Sequence, residues 1–278
     1  MANPKKRPTR RRRSPSTSNR RADEFLHQVG IRPRMVADDF WEHLCSSYGV
    51  QANTFLEYVD RRRTTEKADA TYHENIDLLY RLKNASLDFS IALSSQYFGR
   101  LYSSYLAVVT SLGLDKNANR ILDLGCDNGI LSAFYATHFP GASVLGIDRC
   151  EEAISCANDL KDRLQLRNLS FLAADAFRDP GPADVPMKTW DMVFMTLCGY
   201  EEVDRSPGTG EQVAERFHEY LRPGGVGLVV EYPNSQVLGD LLVYGGKIRQ
   251  WTLAYQAFGG DEQVVDVVEI EAIQEPRS

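Results

Sequence analysis

Three carboxylates stand where apolar runs end. Asp123 lies inside Ile121-Leu-Asp-Leu-Gly-Cys-Asp-Asn-Gly129, Asp148 closes Val144-Leu-Gly-Ile, and Asp175 closes Leu169-Ser-Phe-Leu-Ala-Ala. In an open parallel α/β sheet, ligands bind just beyond the carboxyl ends of the strands. An acid placed there accepts hydrogen bonds, and Asp148 is placed to take the two hydroxyls of a ribose. Gly125 and Gly129 lack a Cβ and let the main chain come close to a ligand. The pattern points to a ribose-bearing ligand.

The same residues exclude two common nucleotide sites. A dinucleotide fold needs G-x-G-x-x-G after its first strand. Counting from Gly125, the later two positions hold Asp127 and Ile130. A carboxylate at Asp127 would also repel a pyrophosphate. No Gly-Lys-Ser/Thr follows the turn, so a phosphate-cradling P-loop is excluded as well. An acidic loop suits a positively charged ligand without phosphate.

This stretch resembles motif I of the class I S-adenosylmethionine (SAM)-dependent methyltransferases, Asp-x-Gly-x-Gly-x-Gly, with Asp127 in place of the middle glycine. The resemblance continues in order. Asn168 to Ala176 is similar to the third strand, Trp190-Asp-Met-Val-Phe-Met-Thr196 to the fourth, and Leu221-Arg-Pro-Gly-Gly followed by Val226 to Tyr232 to the turn and fifth strand. It implies a SAM-binding site formed by Asp123, Gly125, Cys126, Asp127, Gly129, Asp148, Arg149, Asp175, Ala176 and Thr196. Asp175 would accept from the adenine amino group, the Ala176 N–H would donate to the ring, and Thr196 would lie beside the methionine arm. Asp127 is expected either to cap the following helix or to face the positive end of that arm.

Elements that position these groups follow from periodicity. Apolar residues recur at helical spacing from Asp38 to Cys45, from Asn75 to Leu112 and from Glu151 to Leu164, where acids at the start complement the helix dipole. Val213, Phe217 and Leu221 mark another helix face, and Ser235 to Tyr244 a further helix. Runs at Arg249–Phe258 and Val264–Ile270 read as closing strands, and the resembling family ends in an antiparallel hairpin of this kind. Arg61 to Lys67 reads as an exposed connector. The expected fold is α/β: a doubly wound, mostly parallel seven-stranded sheet with an antiparallel C-terminal hairpin. Its expected parts are a disordered basic tail over 1–34, a helical cap over 35–115, and a Rossmann-like domain over 116–278.

Charge divides the chain. Residues 1–21 hold nine Lys/Arg and no acid, while the rest carries 23 basic against 38 acidic residues, a balance of −15. The tail is suited to an anionic partner such as RNA or an import receptor. The acidic body is a poor surface for polyanions. Five scattered cysteines without a C-x-x-C pair argue against a disulfide framework or a zinc site, and fit a reducing compartment. No apolar run is long enough to span a bilayer. The expected location is cytoplasmic, or nuclear where the tail acts as an import signal.

Methyl transfer from a sulfonium needs donor and acceptor in line, and a base where the acceptor carries a proton. The candidates for acceptor binding or proton removal are Tyr200 and Glu201, beyond the fourth strand, and His73 in the cap. The aromatic set Tyr97, Phe98, Tyr102 and Tyr105 has the right position to line the site, and no metal site is expected. After the fourth strand stands Thr196-Leu-Cys-Gly-Tyr-Glu-Glu202, so the Asn/Asp-Pro-Pro-Tyr/Phe signature of amino-group nucleic-acid enzymes is missing. The leading reading is a methyltransferase of a small-molecule acceptor. Its rivals are an RNA or protein methyltransferase recruited by the tail, and a non-catalytic SAM-binding regulatory protein.

Overall fold

The computed structural model describes residues 17–32, 37–64, 71–112, 114, 118–178, 181–198, 209–233, 235–256 and 262–272. Five helices precede the first strand: α1 (Thr17–Val29), α2 (Ala37–Tyr48), α3 (Val50–Thr64), α4 (Tyr72–Lys83) and α5 (Leu87–Ser111). Then follow β1 (Arg120–Leu124), α6 (Ile130–His138), β2 (Ser143–Asp148), α7 (Glu151–Leu164), β3 (Leu169–Ala173) and β4 (Trp190–Thr196). The chain continues through α8 (Thr209–Tyr220), β5 (Leu221–Glu231), α9 (Gln236–Tyr244), β6 (Gly245–Gln256) and β7 (Glu262–Ala272).

The seven strands form one sheet in the order β3-β2-β1-β4-β5-β7-β6. β1 to β5 pair in parallel, and β7 runs antiparallel to both β5 and β6. This is the expected doubly wound sheet with its closing hairpin. The strand order reverses between β1 and β4, which opens a crevice at their carboxyl ends. Because parallel strands are covered on both faces, their sequences are nearly continuous apolar runs. Ile121, Met192, Phe194, Leu228 and Val230 face one apolar cluster with α1, α5 and α6. Leu122, Leu124, Val193, Met195 and Val229 face the other, with Phe217 of α8 and Leu241 of α9.

Several boundaries differ from the sequence reading. Residues 17–32 are not tail: α1 buries Ala22, Phe25, Leu26 and Val29 in the core beneath α5. The Phe25 ring meets Phe134 edge-on at 5.2 Å, and Ser103 of α5 donates to Asp23 at 2.7 Å. The apolar spacing inside a basic stretch is what makes this helix, and the charge run hid it. Residues 1–16, with most of the basic run, lie outside the described residues. The division at 115/116 does not match the core either, since α1, α5 and α6 share one cluster. α2, α3 and part of α5 form a separate cluster, around Phe40, Leu44, Phe55, Phe89 and Leu93, with Leu79 and Leu82 of α4 packed against it.

The long helical stretch after Asn75 is broken at Asn84-Ala85-Ser86, where Asn84 caps α4 through its N–H and Ser86 is extended. The expected connector at Arg61 is helical up to Thr64, and residues 65–67 lie outside the described residues. None of the helices among the described residues is long and apolar enough to cross a membrane.

Candidate functional site

The turn after β1 is built from three positive-φ residues: Gly125 (67°), Asp127 (47°) and Gly129 (74°). At two of them a side chain has no room. A Cβ on Gly125 would lie 2.6 Å from the Cys198 Cβ, and one on Gly129 would lie 2.6 Å from the Phe171 ring. Asp127 sits in the left-handed region that Asp tolerates better than most residues. Its carboxylate does not cap α6. That helix begins after Gly129 without a side-chain cap, and Asp127 instead accepts from Lys83 Nζ and from Asn84 Nδ2, the latter at 2.9 Å. The capping alternative is corrected: α4 comes close enough to claim the carboxylate first.

Asp148 ties this turn to the end of β2. One of its oxygens accepts the Asp127 N–H at 2.8 Å, and the other accepts the Cys150 N–H at 2.9 Å. A carboxylate oxygen has two acceptor sites, so each keeps one for a ligand hydroxyl. Burial pushes Asp148 up to about 6, and the nearby Asp127 charge adds to the rise. The two N–H donors and Arg149 oppose it. Asp123, buried beneath the turn, is pushed up to about 7, chiefly by burial. The Ser132 hydroxyl holds it down, and the Asp148 charge raises it further. Burial likewise raises the Cys126 thiol, and Cys150 to about 12, so neither is a ready nucleophile.

Asp123, Gly125, Cys126, Asp127 and Asp148 line a single cavity of about 400 Å3 at the carboxyl ends of β1 to β4. Arg149, Asp175, Ala176 and Thr196 line it too; Gly129 stands behind it, against Phe171 and Ala157. The Asp175 carboxylate folds back to accept the Phe177 N–H at 3.0 Å, and the Ala176 carbonyl accepts the Tyr220 hydroxyl at 2.7 Å. Among the described residues, seven carboxylates and three cations line the cavity. That balance disfavours a phosphate and suits a cationic ligand.

The Thr196 hydroxyl oxygen is buried without a well-formed hydrogen bond, although it is near enough to the Tyr105 and Tyr135 hydroxyls to act on their ionisation. Those two hydroxyls bond each other at 2.7 Å.

Tyr200 and Glu201 lie outside the described residues, as does the side chain of His73, whose backbone is in the first turn of α4. Of the aromatic set, Phe98 and Tyr102 line the cavity, Tyr105 is buried against Tyr135, and Tyr97 packs on Trp41 in the outer helices. α4 supplies what sequence reasoning missed. Lys83 and Asn84 hold Asp127, and Asp77 accepts from Arg149 at 2.9 Å. The extra carboxylate in a glycine position was the signal that a cation must come to meet it.

Comparison with known proteins agrees with this geometry. Residues 121–225 match the family model described as a methyltransferase domain. A trans-aconitate 2-methyltransferase from Variovorax paradoxus is 29% identical over 119 residues, 43% of this chain. The match spans only 40% of that relative's length. Among solved structures, a SAM-dependent methyltransferase from Methanosarcina mazei superposes with a TM-score of 0.51 at 16% identity, covering 59% of this chain and 97% of that one. The [4+2]-cyclase SpnF superposes with a TM-score of 0.51 at 13% identity, covering 63% and 82%. These likenesses concern the fold. Taken with the ordered strand-end acids, the family match identifies residues 121–225 as a methyltransferase domain, set in a Rossmann-like methyltransferase fold.

Proposed function

We propose that the protein transfers a methyl group from SAM to a small-molecule acceptor. The carrying observation is Asp148: its two oxygens are oriented by main-chain N–H groups, each has a second acceptor site, and the residue lines the cavity. The residues present fit the cofactor. Gly125 leaves a cradle that a Cβ would fill, Thr196 offers a buried hydroxyl without a well-formed partner, and the excess of carboxylates complements a sulfonium. Asp148 would hold the ribose, and Asp175 with the Ala176 N–H the adenine. When bound, the cofactor supplies a methyl group already activated by its positive sulfur.

The protein's part is then to orient, to exclude water and to take up a proton where the acceptor has one. Among the described residues no histidine lines the cavity. Tyr200 and Glu201, which follow Cys198 at the cavity edge, are our proposed acceptor-side groups. The acidic body favours a small acceptor over a polyanion, and the relative named for trans-aconitate supports that class. We place the protein in the cytoplasm, with the tail as the contact for an anionic partner.

Because a cyclase shares the fold, activity must be tested directly. Calorimetry should show binding of SAM and S-adenosylhomocysteine but not NAD. Radiolabelled methyl groups should appear in the low-molecular-mass fraction of an extract. Label in RNA or protein that disappears when residues 1–16 are deleted would favour tail-directed recruitment instead. NAD binding without SAM binding would overturn the assignment.

A further inference from the structure

We propose that Lys83 is the specificity-determining residue for the α-carboxylate of the cofactor's amino-acid arm, with Asp127 as the partner of its ammonium. This rests on the reading above. Lys83 is the last residue of α4, where a helix C-terminus favours a cation. Its side chain is 10% exposed and reaches the cavity between the rings of Tyr80 and Phe98, at 5.8 and 5.6 Å from their centroids. Ring faces of this kind stabilise an ammonium that has lost water. An ammonium has three donors. The bond to Asp127 uses one and leaves others for a ligand.

The acid of the pair is the fixed member. Asn84 holds the Asp127 carboxylate at 2.9 Å, Ser90 donates to Asn84 at 2.5 Å, and Asn128 donates to Ser90 and Ser94 at 2.8 and 2.9 Å. Asp127 therefore stays in place while the four-carbon stem of Lys83 can readjust. A zwitterionic head fits this arrangement charge for charge. Its ammonium meets Asp127, its carboxylate meets Lys83, and no buried charge loses its partner, which is the costly case.

Among the described residues two other cations line the cavity, and each faces an acid of its own. Arg149 bonds Asp77, and Arg81 is exposed, 4.0 Å from Glu152. Asp77, Asp123, Asp148, Asp175, Glu151 and Glu152 otherwise surround the space with negative charge. Of these three cations Lys83 is the one held largely buried beside the turn after β1, where it can meet a ligand carboxylate.

The test is calorimetry on the full chain with three probes: S-adenosylhomocysteine, its decarboxylated analogue S-adenosyl-3-thiopropylamine, and 5′-methylthioadenosine, which lacks the whole arm. Wild type should bind the first at least about tenfold tighter than the second, the scale of one charge-assisted hydrogen bond. Lys83→Met should abolish that ratio and change the affinity for 5′-methylthioadenosine less than about twofold. Lys83→Arg should keep most of the ratio.

Should Lys83→Met fail to fold, Lys83→Met/Asp127→Asn removes both charges and should also bind the first two probes equally. Equal weakening of all three probes would show that Lys83 only supports the structure. A ratio that survives either substitution would overturn the assignment to Lys83. A wild type that binds none of the three would instead overturn the reading of the cavity itself.

Discussion

Lowering the pH from 7 to 5 removes the charge of Asp148 while leaving its oxygens where they are. With its pKa raised to about 6, the ionised fraction falls from about nine-tenths to about one-tenth over that interval. A neutral carboxyl offers one acceptor fewer and places a proton where a ribose hydroxyl must donate. The dissociation constant for S-adenosylhomocysteine should therefore rise about tenfold between pH 7 and pH 5, with its midpoint near 6. Asp123, raised to about 7 beside it, steepens the upper part of the profile where its charge also supports the ligand.

The sign for stability is opposite. The folded pKa of Asp148 lies above the unfolded value, so its contribution to stability is full below about pH 4 and is lost as the pH rises through about 6. Asp148→Asn removes the titrating group. Calorimetry at half-unit pH intervals should show the step near 6 in wild type and none centred there in the variant. The melting temperature of the variant relative to wild type should increase from pH 5 to pH 8. A flat profile in wild type, or the same step in both proteins, would refute the assignment of Asp148 to the ligand.

Gly125→Ala places a Cβ 2.6 Å from that of Cys198, on a backbone already held at positive φ. It should destabilise the fold by about 2 kcal/mol in thermal melts, the scale of a strained backbone position, while weakening ligand binding. Asp127→Gly restores the commoner glycine and relieves a positive φ, but it strips the partner from a largely buried lysine. A net destabilisation of about 2 kcal/mol is expected in urea unfolding, and a variant as stable as wild type would show that the pair is not coupled to the fold. Tyr135→Phe removes the hydroxyl bonded to Tyr105. It should cost about 1 kcal/mol in the same assay, the net worth of one buried hydrogen bond. Deleting residues 1–16 should leave the melting temperature unchanged, whereas deleting 1–34 removes α1 and with it Phe25, Leu26 and Val29 from the core. The second truncation should be insoluble or melt many degrees lower.

Much of the fold was legible because it depends on local pattern. β1 and β2 are short apolar runs ended by Gly125 and Asp148, β4 is an apolar run that closes at Thr196, and α7 carries its own dipole signals, with Glu151 and Glu152 first and Lys161 and Arg163 last. Elements set by competition between charge and burial were harder. α1 is a third basic or acidic by composition, yet four of its residues reach the core, and only a packed α5 shows which face wins. The break at Asn84 was likewise hidden, because apolar spacing continues across it and the buried Asn84–Ser90 hydrogen bond that stabilises the break forms only after folding.

In the site, amino-acid order alone determined the turn after β1 and the acids at the strand ends, because each depends on residue type at fixed local spacing. Which groups those acids hold was a tertiary matter. Asp127 and Lys83 are 44 residues apart, and Asp77 and Arg149 are 72 apart. No periodicity links such pairs; they meet because α4 is laid across the ends of β1 and β2, where a desolvated carboxylate must find a cation or lose its charge.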